Sequence, residues 1–161
     1  MNTDTIIYRL ATSNDIAFMS QILVDAAAAS GVNMSVHDLP NHPDTYQYIE
    51  GFPKGSDVGI IAEITNKQMI GAAWIRLLPT DEHVVTYPLP ELTMGVIPEC
   101  RRMGIGERMM EELYKAAIAM NIPEISLGVH KENLPAVNLY WKQGWKVDGT
   151  YKEYIMMSRK L

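Results

Sequence analysis

One strand–helix–strand segment in the second half of the chain constrains the fold more than any other feature. Residues 92–97 are predicted to form a strand that Pro98 ends, and residues 106–120 a helix with a single apolar face. Residues 125–129 are mostly apolar and uncharged, which is typical of a short buried strand. A helix that connects two strands of one sheet in this way is a crossover, so the two strands should be parallel. The sequence therefore predicts a mixed α/β sheet.

The remaining elements extend this sheet on both sides. The other predicted strands are 6–10, 58–64, 69–78, 146–148 and 153–160, and the other predicted helices are 16–29, 45–50 and 133–142. Residues 31–57 contain several prolines and are predicted to be largely irregular and to face a substrate. Residues 66–68 are predicted to form a hairpin turn and residues 79–90 a loop. The fold class is α/β (α+β): one domain over residues 1–161, with about seven strands in a mixed central sheet and about four flanking helices.

Length and composition exclude several classes of protein. A chain of 161 residues suffices for one domain and is too short for two ordinary ones, and its 47% apolar and 20% charged residues suit a globular domain. No apolar run approaches the roughly 20 residues that span a bilayer, and the N-terminus lacks signal-peptide features, so we expect a cytoplasmic protein without a membrane partner. A net charge of −5 without a basic stripe argues against nucleic acid and mildly favours a cationic substrate.

Two arginines and two glycines stand between the predicted strand and the long helix. The first turn of a helix has amides without intrahelical partners, and the helix dipole adds positive charge there, so this loop is a candidate anion site. Gly104 and Gly106 permit unusual backbone angles and close approach of phosphate oxygens, while Arg101 and Arg102 supply positive charge. The loop is not a dinucleotide fingerprint, because Met109 stands where the third glycine would be, and it lacks the Gly-Lys-Ser/Thr of a P-loop.

Two ordered motifs give this loop a more specific meaning. Arg101, Gly104 and Gly106 fill the pattern Arg/Gln-x-x-Gly-x-Gly/Ala after Val96-Ile97-Pro98. Asn133-Leu134-Pro135-Ala136-Val137-Asn138-Leu139-Tyr140 is followed by Gly144-Trp145. Together they resemble the signature of the GNAT superfamily of acyl-CoA-dependent N-acetyltransferases, with Trp145 in place of the more common Phe. The resemblance is strong over about residues 91–147 and rests on strand order alone for the N-terminal strands.

The resemblance implies acetyl-CoA as the acyl donor. In that family the strand before the loop splays from its parallel neighbour, the pantetheine arm lies in the gap, and the pyrophosphate sits on the loop amides. Asn133 corresponds to a side chain that often contacts the donor. The donor-binding residues implied here are Met94, Gly95, Val96, Arg101, Arg102, Met103, Gly104, Ile105, Gly106, Glu107 and Asn133.

The resemblance also implies catalytic roles. Tyr140 corresponds to the general acid that protonates the departing thiolate, although a half-buried helix aromatic would look the same in the sequence. Some family members carry a catalytic glutamate where this chain has Gly128, so Glu91 is the substitute base, with a solvated strand-end carboxylate as the alternative interpretation. His130, His83 and Glu82 are less favoured bases. A backbone N–H near Val96 is expected to stabilise the developing oxyanion.

The leading hypothesis is an N-acetyltransferase that moves an acetyl group from acetyl-CoA to a primary amine, either a small amine or a peptide N-terminus, by direct attack. The alternative is a non-catalytic acyl-CoA sensor or interaction module of the same fold, which the missing carboxylate at Gly128 keeps open. We expect residues 31–57 and 79–90 to recognise the acceptor. Family members often form homodimers, and the resemblance implies the same option here.

We predict neither a metal site nor a cysteine nucleophile. His37 and His42 are interpreted as loop histidines, because the segment between them contains a proline and does not place both on one helix face. Cys100 is the single cysteine, so no internal disulfide can form, and we interpret it as a small loop residue.

Overall fold

The computed structural model describes residues 5–65, 68–79 and 88–161. The strands in this part of the chain are β1 (Ile6–Leu10), β2 (Val58–Ile64), β3 (Gln68–Arg76), β4 (Glu91–Val96), β5 (Glu124–His130), β6 (Lys146–Tyr151) and β7 (Tyr154–Lys160). The α-helices are α1 (Ile16–Ala29), α2 (Pro43–Tyr46), α3 (Ile105–Ala119) and α4 (Leu134–Lys142). Most of the predicted hairpin turn at 66–68 and of the loop at 79–90 lies outside the described residues.

The described strands form one seven-stranded sheet in the order β1-β2-β3-β4-β5-β7-β6. Neighbouring strands are antiparallel except for β4 and β5, which α3 connects in parallel. The predicted crossover and the mixed sheet are therefore confirmed. The order also places the predicted donor loop, between β4 and α3, near the middle of the sheet rather than at an edge.

Some element boundaries differ from the prediction. The helix predicted at 45–50 is instead α2, Pro43–Tyr46, because Pro43 suits the first helical turn and residues 47–50 form a turn. Strand β3 ends at Arg76, two residues earlier than predicted, because its partner β4 begins at Glu91, directly opposite Arg76. Strand β6 continues to Tyr151, beyond the predicted end at 148, through a register shift between Val147 and Gly149.

The sheet has a hydrophobic core on each face. One core joins the apolar side of α3 to side chains of β2, β3 and β5, with Met109 and Leu113 fully buried at its centre. The other joins α1 and residues 34–52 to the opposite side of β2 and β3, around the fully buried Trp74. Because side chains alternate along a strand, Trp74 and Arg76 point to the same face, as do Thr93 and Glu91 opposite them. Glu91 therefore lies on the α1 face of the sheet.

Candidate active site

Strands β4 and β5 diverge almost as soon as they meet. In the described strands, their pairing is confined to Glu91 and Ser126, where Ser126 N donates to Pro90 O at 2.8 Å. Strand β5 stays paired with β7 along its whole length, while the last three residues of β4 are only half-buried. The gap opens into a cavity of about 1090 Å³ that extends from the loop before α3 to the β6–β7 hairpin. The splay implied by the sequence resemblance is therefore observed.

The two edges of β4 have different roles. Ile97 N donates to Ile70 O on β3, whereas Pro90 O accepts from β5 on the other side. Because backbone groups alternate in direction along a strand, the N–H and C=O groups of Met94 and Val96 point toward the gap and those of Gly95 toward β3. Gly95 contributes in another way: a Cβ there would lie 2.9 Å from Ile22 Cγ2 of α1. Glycine at this position lets α1 approach β4 closely.

The loop before α3 winds tightly into the helix. Arg102 and Gly104 both have left-handed backbone conformations, with φ of 62° and 79°. The first hydrogen bond of α3 runs from Arg108 N to Gly104 O (3.1 Å), so the helical ladder does not use the amides of residues 105–107. Gly104 through Glu107 all line the cavity. The geometry is that of an anion site at a helix N-terminus.

The two arginines of the loop are placed differently. The Arg101 side chain turns back to β4, where its Nε donates to Val96 O at 3.0 Å, and it also lines the cavity. Arg102 is exposed at the cavity rim. Asn133, which lines the same cavity, caps α4 by accepting from Ala136 N at 3.3 Å. The predicted donor-binding residues all line this cavity except Met103, an exposed turn residue.

Tyr140 lies on α4 and is buried where the cavity meets the core. Burial, with a smaller contribution from Tyr114, raises the pKa of its phenol well above the ordinary value. The phenol is therefore protonated at neutral pH and can donate a hydrogen bond or a proton. The position of Tyr140 is compatible with the predicted general acid.

A buried aromatic cluster supports Tyr140 from behind. The ring centroid of Trp145 lies 5.8 Å from that of Tyr140, and Trp145 Nε1 donates to the Tyr114 hydroxyl at 2.8 Å. The guanidinium of Arg159 lies 4.1 Å from the Tyr114 ring centroid, close enough for a cation–π contact. A buried indole N–H needs an acceptor, and Tyr114 provides it. This explains how the chain accommodates Trp where the family pattern more often has Phe.

Glu91 is buried, with 7% of its surface exposed, so it is not the solvated strand-end carboxylate of the alternative interpretation. It lines the cavity together with Tyr48 and Tyr154. The pKa of Tyr48 is raised, first by burial and then by the charge of Glu91 and the hydrogen bond between these two side chains. The structure thus places a carboxylate and a phenol in contact at the edge of the gap.

Among the cavity residues that the sequence reasoning does not predict as site residues are three tyrosines: Tyr48, Tyr151 and Tyr154. Tyr48 follows α2 in the stretch 31–57, which is expected to face a substrate although no residue in it stands out. Tyr151 and Tyr154 flank the β6–β7 turn, which the sequence indicates only as the end of the sheet. Nothing in the local sequence around Tyr151 and Tyr154 distinguishes them from other aromatic residues, because the pairing of β7 with its neighbours brings them to the cavity.

The less favoured bases have weaker geometry. His130 lines the cavity, but its Nδ1 accepts from Glu132 N at 3.2 Å within a turn, and its ring meets Tyr154 edge-on at 5.7 Å. His83 and Glu82 lie outside the described residues. At Gly128, where some relatives of this pattern carry a glutamate, a Cβ would lie 3.3 Å from Met156 Sδ.

Cys100 is buried in the core under α3 and also lines the cavity. Within residues 5–65, 68–79 and 88–161, no group of three or more His, Cys, Asp or Glu side chains is arranged to hold a metal ion. Over the same residues, no helix has both the length and the apolar character needed to cross a membrane.

Comparisons with known proteins agree with this architecture. The family model described as the acetyltransferase (GNAT) family matches residues 22–145. An N-alpha-acetyltransferase from Sulfurisphaera tokodaii is 27% identical over 128 residues, covering 72% of each chain. The PaiA N-acetyltransferase of Thermoplasma acidophilum in complex with coenzyme A superposes with a TM-score of 0.71 at 17% identity, over 98% of this chain and 99% of that one. A GNAT-family acetyltransferase from Staphylococcus aureus Mu50 gives 0.71 at 14% identity, with the same coverage.

Proposed function

Because this chain belongs to the GNAT family of acetyltransferases, we propose that it transfers the acetyl group of acetyl-CoA to a primary amine by direct attack through a tetrahedral intermediate. One observation carries the proposal. A buried carboxylate, Glu91, and a buried protonated phenol, Tyr140, line one cavity together with a loop suited to phosphate. These are the three groups that amine acetylation by a thioester needs.

The donor would bind along the β4 side of the gap. The backbone N–H and C=O of Met94, which point into the gap, are suited to pair with the amide groups of the pantetheine arm. The pyrophosphate would rest on the first amides of α3, with Arg102 at the rim supplying charge. Arg101 would act mainly by fixing the loop to β4, through its bond to Val96 O.

The acceptor would react from the Glu91 side. An alkylammonium must lose a proton before its nitrogen can attack the thioester carbonyl, and the Glu91 carboxylate would receive that proton. The carbonyl oxygen gains negative charge as the carbon–nitrogen bond forms. A backbone N–H such as that of Val96, which points into the gap, would stabilise this oxyanion by about 3 kcal/mol if it resembles a typical donor. Collapse of the intermediate breaks the carbon–sulfur bond, and Tyr140 would protonate the departing thiolate. The acceptor nitrogen would lose its second proton to solvent as the amide forms, and a proton from solvent would restore the Tyr140 phenol.

An activity screen tests this function. Acetyl-CoA should raise the melting temperature of the protein, and release of free coenzyme A thiol should accelerate with at least one member of a panel of polyamines, aminoglycosides, amino acids and peptide N-termini. Stabilisation by acetyl-CoA without thiol release across the panel would favour the non-catalytic sensor instead. The absence of any stabilisation would contradict both functions.

A further inference from the structure

The turn at residues 47–50 is fixed to the sheet by side chains of β3. Arg76 Nη1 donates to Gln47 O at 3.0 Å and to Glu50 O at 2.7 Å. Trp74 Nε1 donates to Tyr48 O at 2.8 Å. Three carbonyls within four residues are therefore held by two side chains that project from the same face of one strand. This turn carries the Tyr48 side chain into the cavity.

The orientation of Arg76 is itself determined by a buried ion pair. Arg76 Nε donates to Asp57 Oδ2 at 3.0 Å, its Nη2 contacts the same oxygen, and both side chains are only 4% exposed. Asp57 Oδ2 also accepts from Lys54 N at 3.0 Å, which fixes the carboxylate. A guanidinium can direct one edge to a carboxylate and another nitrogen to two carbonyls, whereas a lysine ammonium cannot cover this geometry. Arginine is therefore specifically suited to this position.

The register relates this cluster to the site. Arg76 on β3 lies directly opposite Glu91 on β4, so the two side chains leave the same face of the sheet side by side. Tyr48, anchored through its carbonyl and its neighbours, reaches the Glu91 side chain with its hydroxyl. The charged and titratable groups around this contact are Arg76 and Asp57, Glu91 itself and Tyr154 of β7.

We infer that Arg76 is a positioning residue: by holding the turn at 47–50, it places the Tyr48 hydroxyl against the Glu91 carboxylate. This role rests on the proposed function of Glu91 as the base. A phenol that donates to a carboxylate favours its ionised form, which is the form that accepts a proton from the acceptor amine. Such a hydrogen bond needs oxygen atoms about 2.7 Å apart, so a displacement of the turn by about 1 Å would lose it.

The test compares Arg76→Lys with Tyr48→Phe, using the pH profile of kcat/KM as the readout. Both variants should move the acidic limb to higher pH by roughly one unit, so that kcat/KM at a fixed pH on that limb falls by roughly tenfold. The double variant should behave like either single one, because both changes remove the same contact. The affinity for acetyl-CoA, measured by titration, should not change. Arg9→Lys is the control, because Arg9 is another strand arginine that forms ion pairs, with Asp15 and Glu63, but it lies on the edge strand β1, away from the cavity.

The results separate a positioning role from a merely structural one. A lower melting temperature for Arg76→Lys with an unmoved acidic limb would overturn the inference. If that variant does not fold, Trp74→Phe is the second test, because it removes the hydrogen bond to Tyr48 O together with only part of a buried ring. Its acidic limb should shift in the same direction, and an unshifted limb would overturn the inference. If Glu91→Gln retains the wild-type profile, the proposed base is wrong, whatever the Arg76 variants do.

Discussion

Glu91 and Tyr140 line the same cavity from opposite faces of the central sheet. Glu91 projects from β4 on the face covered by α1, beside Arg76, while Tyr140 belongs to the core under α3 and α4. The two side chains meet the same space because β4 and β5 separate between them. A thioester bound in this space would have Glu91 near the attacking amine and Tyr140 near the departing thiolate.

Replacing Tyr140 with phenylalanine should reduce turnover more than donor binding. Without the phenol the thiolate leaves unprotonated, so kcat should fall by roughly 100-fold, while acetyl-CoA affinity stays within about twofold. Steady-state kinetics and calorimetric titration measure the two quantities. Tyr8→Phe is the control, since Tyr8 is a partly buried tyrosine of β1 outside the cavity lining. An equal loss in kcat and affinity would contradict the role of Tyr140 as the acid.

The variant Glu91→Gln should abolish the acidic limb of the pH–rate profile. That limb reports protonation of the base, and an amide has no carboxyl group to protonate. Glu63→Gln is the control, because Glu63 is a partly buried strand carboxylate that pairs with Arg9 instead (3.2 Å). The measurement is kcat/KM of both variants across the acidic pH range, with one amine that the wild-type protein acetylates. A limb that persists in Glu91→Gln would assign the base to another group.

High pH should destabilise the fold through its buried tyrosines. Burial raises the pKa of Tyr48, Tyr114 and Tyr140 in the folded state. Below pH 10 or so these phenols are protonated in both states, and their contribution to stability is complete. Above it the unfolded chain loses protons first, so the free energy of unfolding should fall by about 1.4 kcal/mol per pH unit for each such tyrosine.

Urea unfolding at stepped pH values measures this slope, and absorbance of tyrosinate shows which phenols ionise before unfolding. Tyr140→Phe should make the slope shallower by the contribution of one tyrosine. A free energy of unfolding that stays constant through the alkaline range would mean that the three phenols ionise in the native state without cost.

The two glycines of the loop should respond differently to alanine. Gly104 has a φ of 79°, and nothing lies within 4 Å of the position that a methyl group would take, so the strain of a left-handed alanine should cost about 1–2 kcal/mol of stability. Gly106 has an ordinary helical backbone, and its methyl would lie 3.1 Å from the flexible end of Met94. There the helix preference of alanine, worth about 1 kcal/mol, should offset the shift of Met94. Denaturant unfolding measures the stability of both variants, and titration measures their affinity for acetyl-CoA. A larger loss of stability for Gly106→Ala than for Gly104→Ala would contradict this assignment.

The hydrogen bond between Trp145 and Tyr114 should be measurable as a coupling. Trp145→Phe removes the donor and part of the buried ring, so we expect a loss of about 2 kcal/mol or more of unfolding free energy. In a double-mutant cycle with Tyr114→Phe, the coupling should be about 1 kcal/mol. Additive effects of the two changes would show that the bond contributes no net stability.

The elements that local signals specify agree well with the prediction. Helix α1 begins and ends where predicted, because the 3-10 turn Ser13–Asp15, with a capping box formed by Thr12 and Asp15, leads directly into it and Gly31, with a φ of 85°, follows its end. The crossover through α3 follows from periodicity alone. The spacing of Arg101, Gly104 and Gly106 predicts a donor loop, and all three residues line the cavity.

The sequence predicts that residues 31–57 face a substrate but does not single out Tyr48, because contacts distant in sequence place this side chain in the cavity. Tyr48 is placed by hydrogen bonds from Trp74 and Arg76, 26 to 29 residues away in the chain from the carbonyls they bind. Neither residue is marked by a local motif in a strand that is mostly apolar. Met103 differs from the other residues of its loop, because its side chain is exposed and lies outside the cavity lining.

The brief pairing of β4 with β5 divides the sheet into two leaves, β1–β4 and β5-β7-β6. In the described strands, backbone pairing joins the two leaves at one point, the pair Glu91 and Ser126. Elsewhere the leaves are held together by side-chain packing in the core that includes α3 and α4. A small change in the angle between the leaves would alter the width of the gap between β4 and β5 least at this pair and most at the end of the gap farthest from it. The carboxylate proposed to accept the proton therefore sits at the pivot, where such a movement displaces it least.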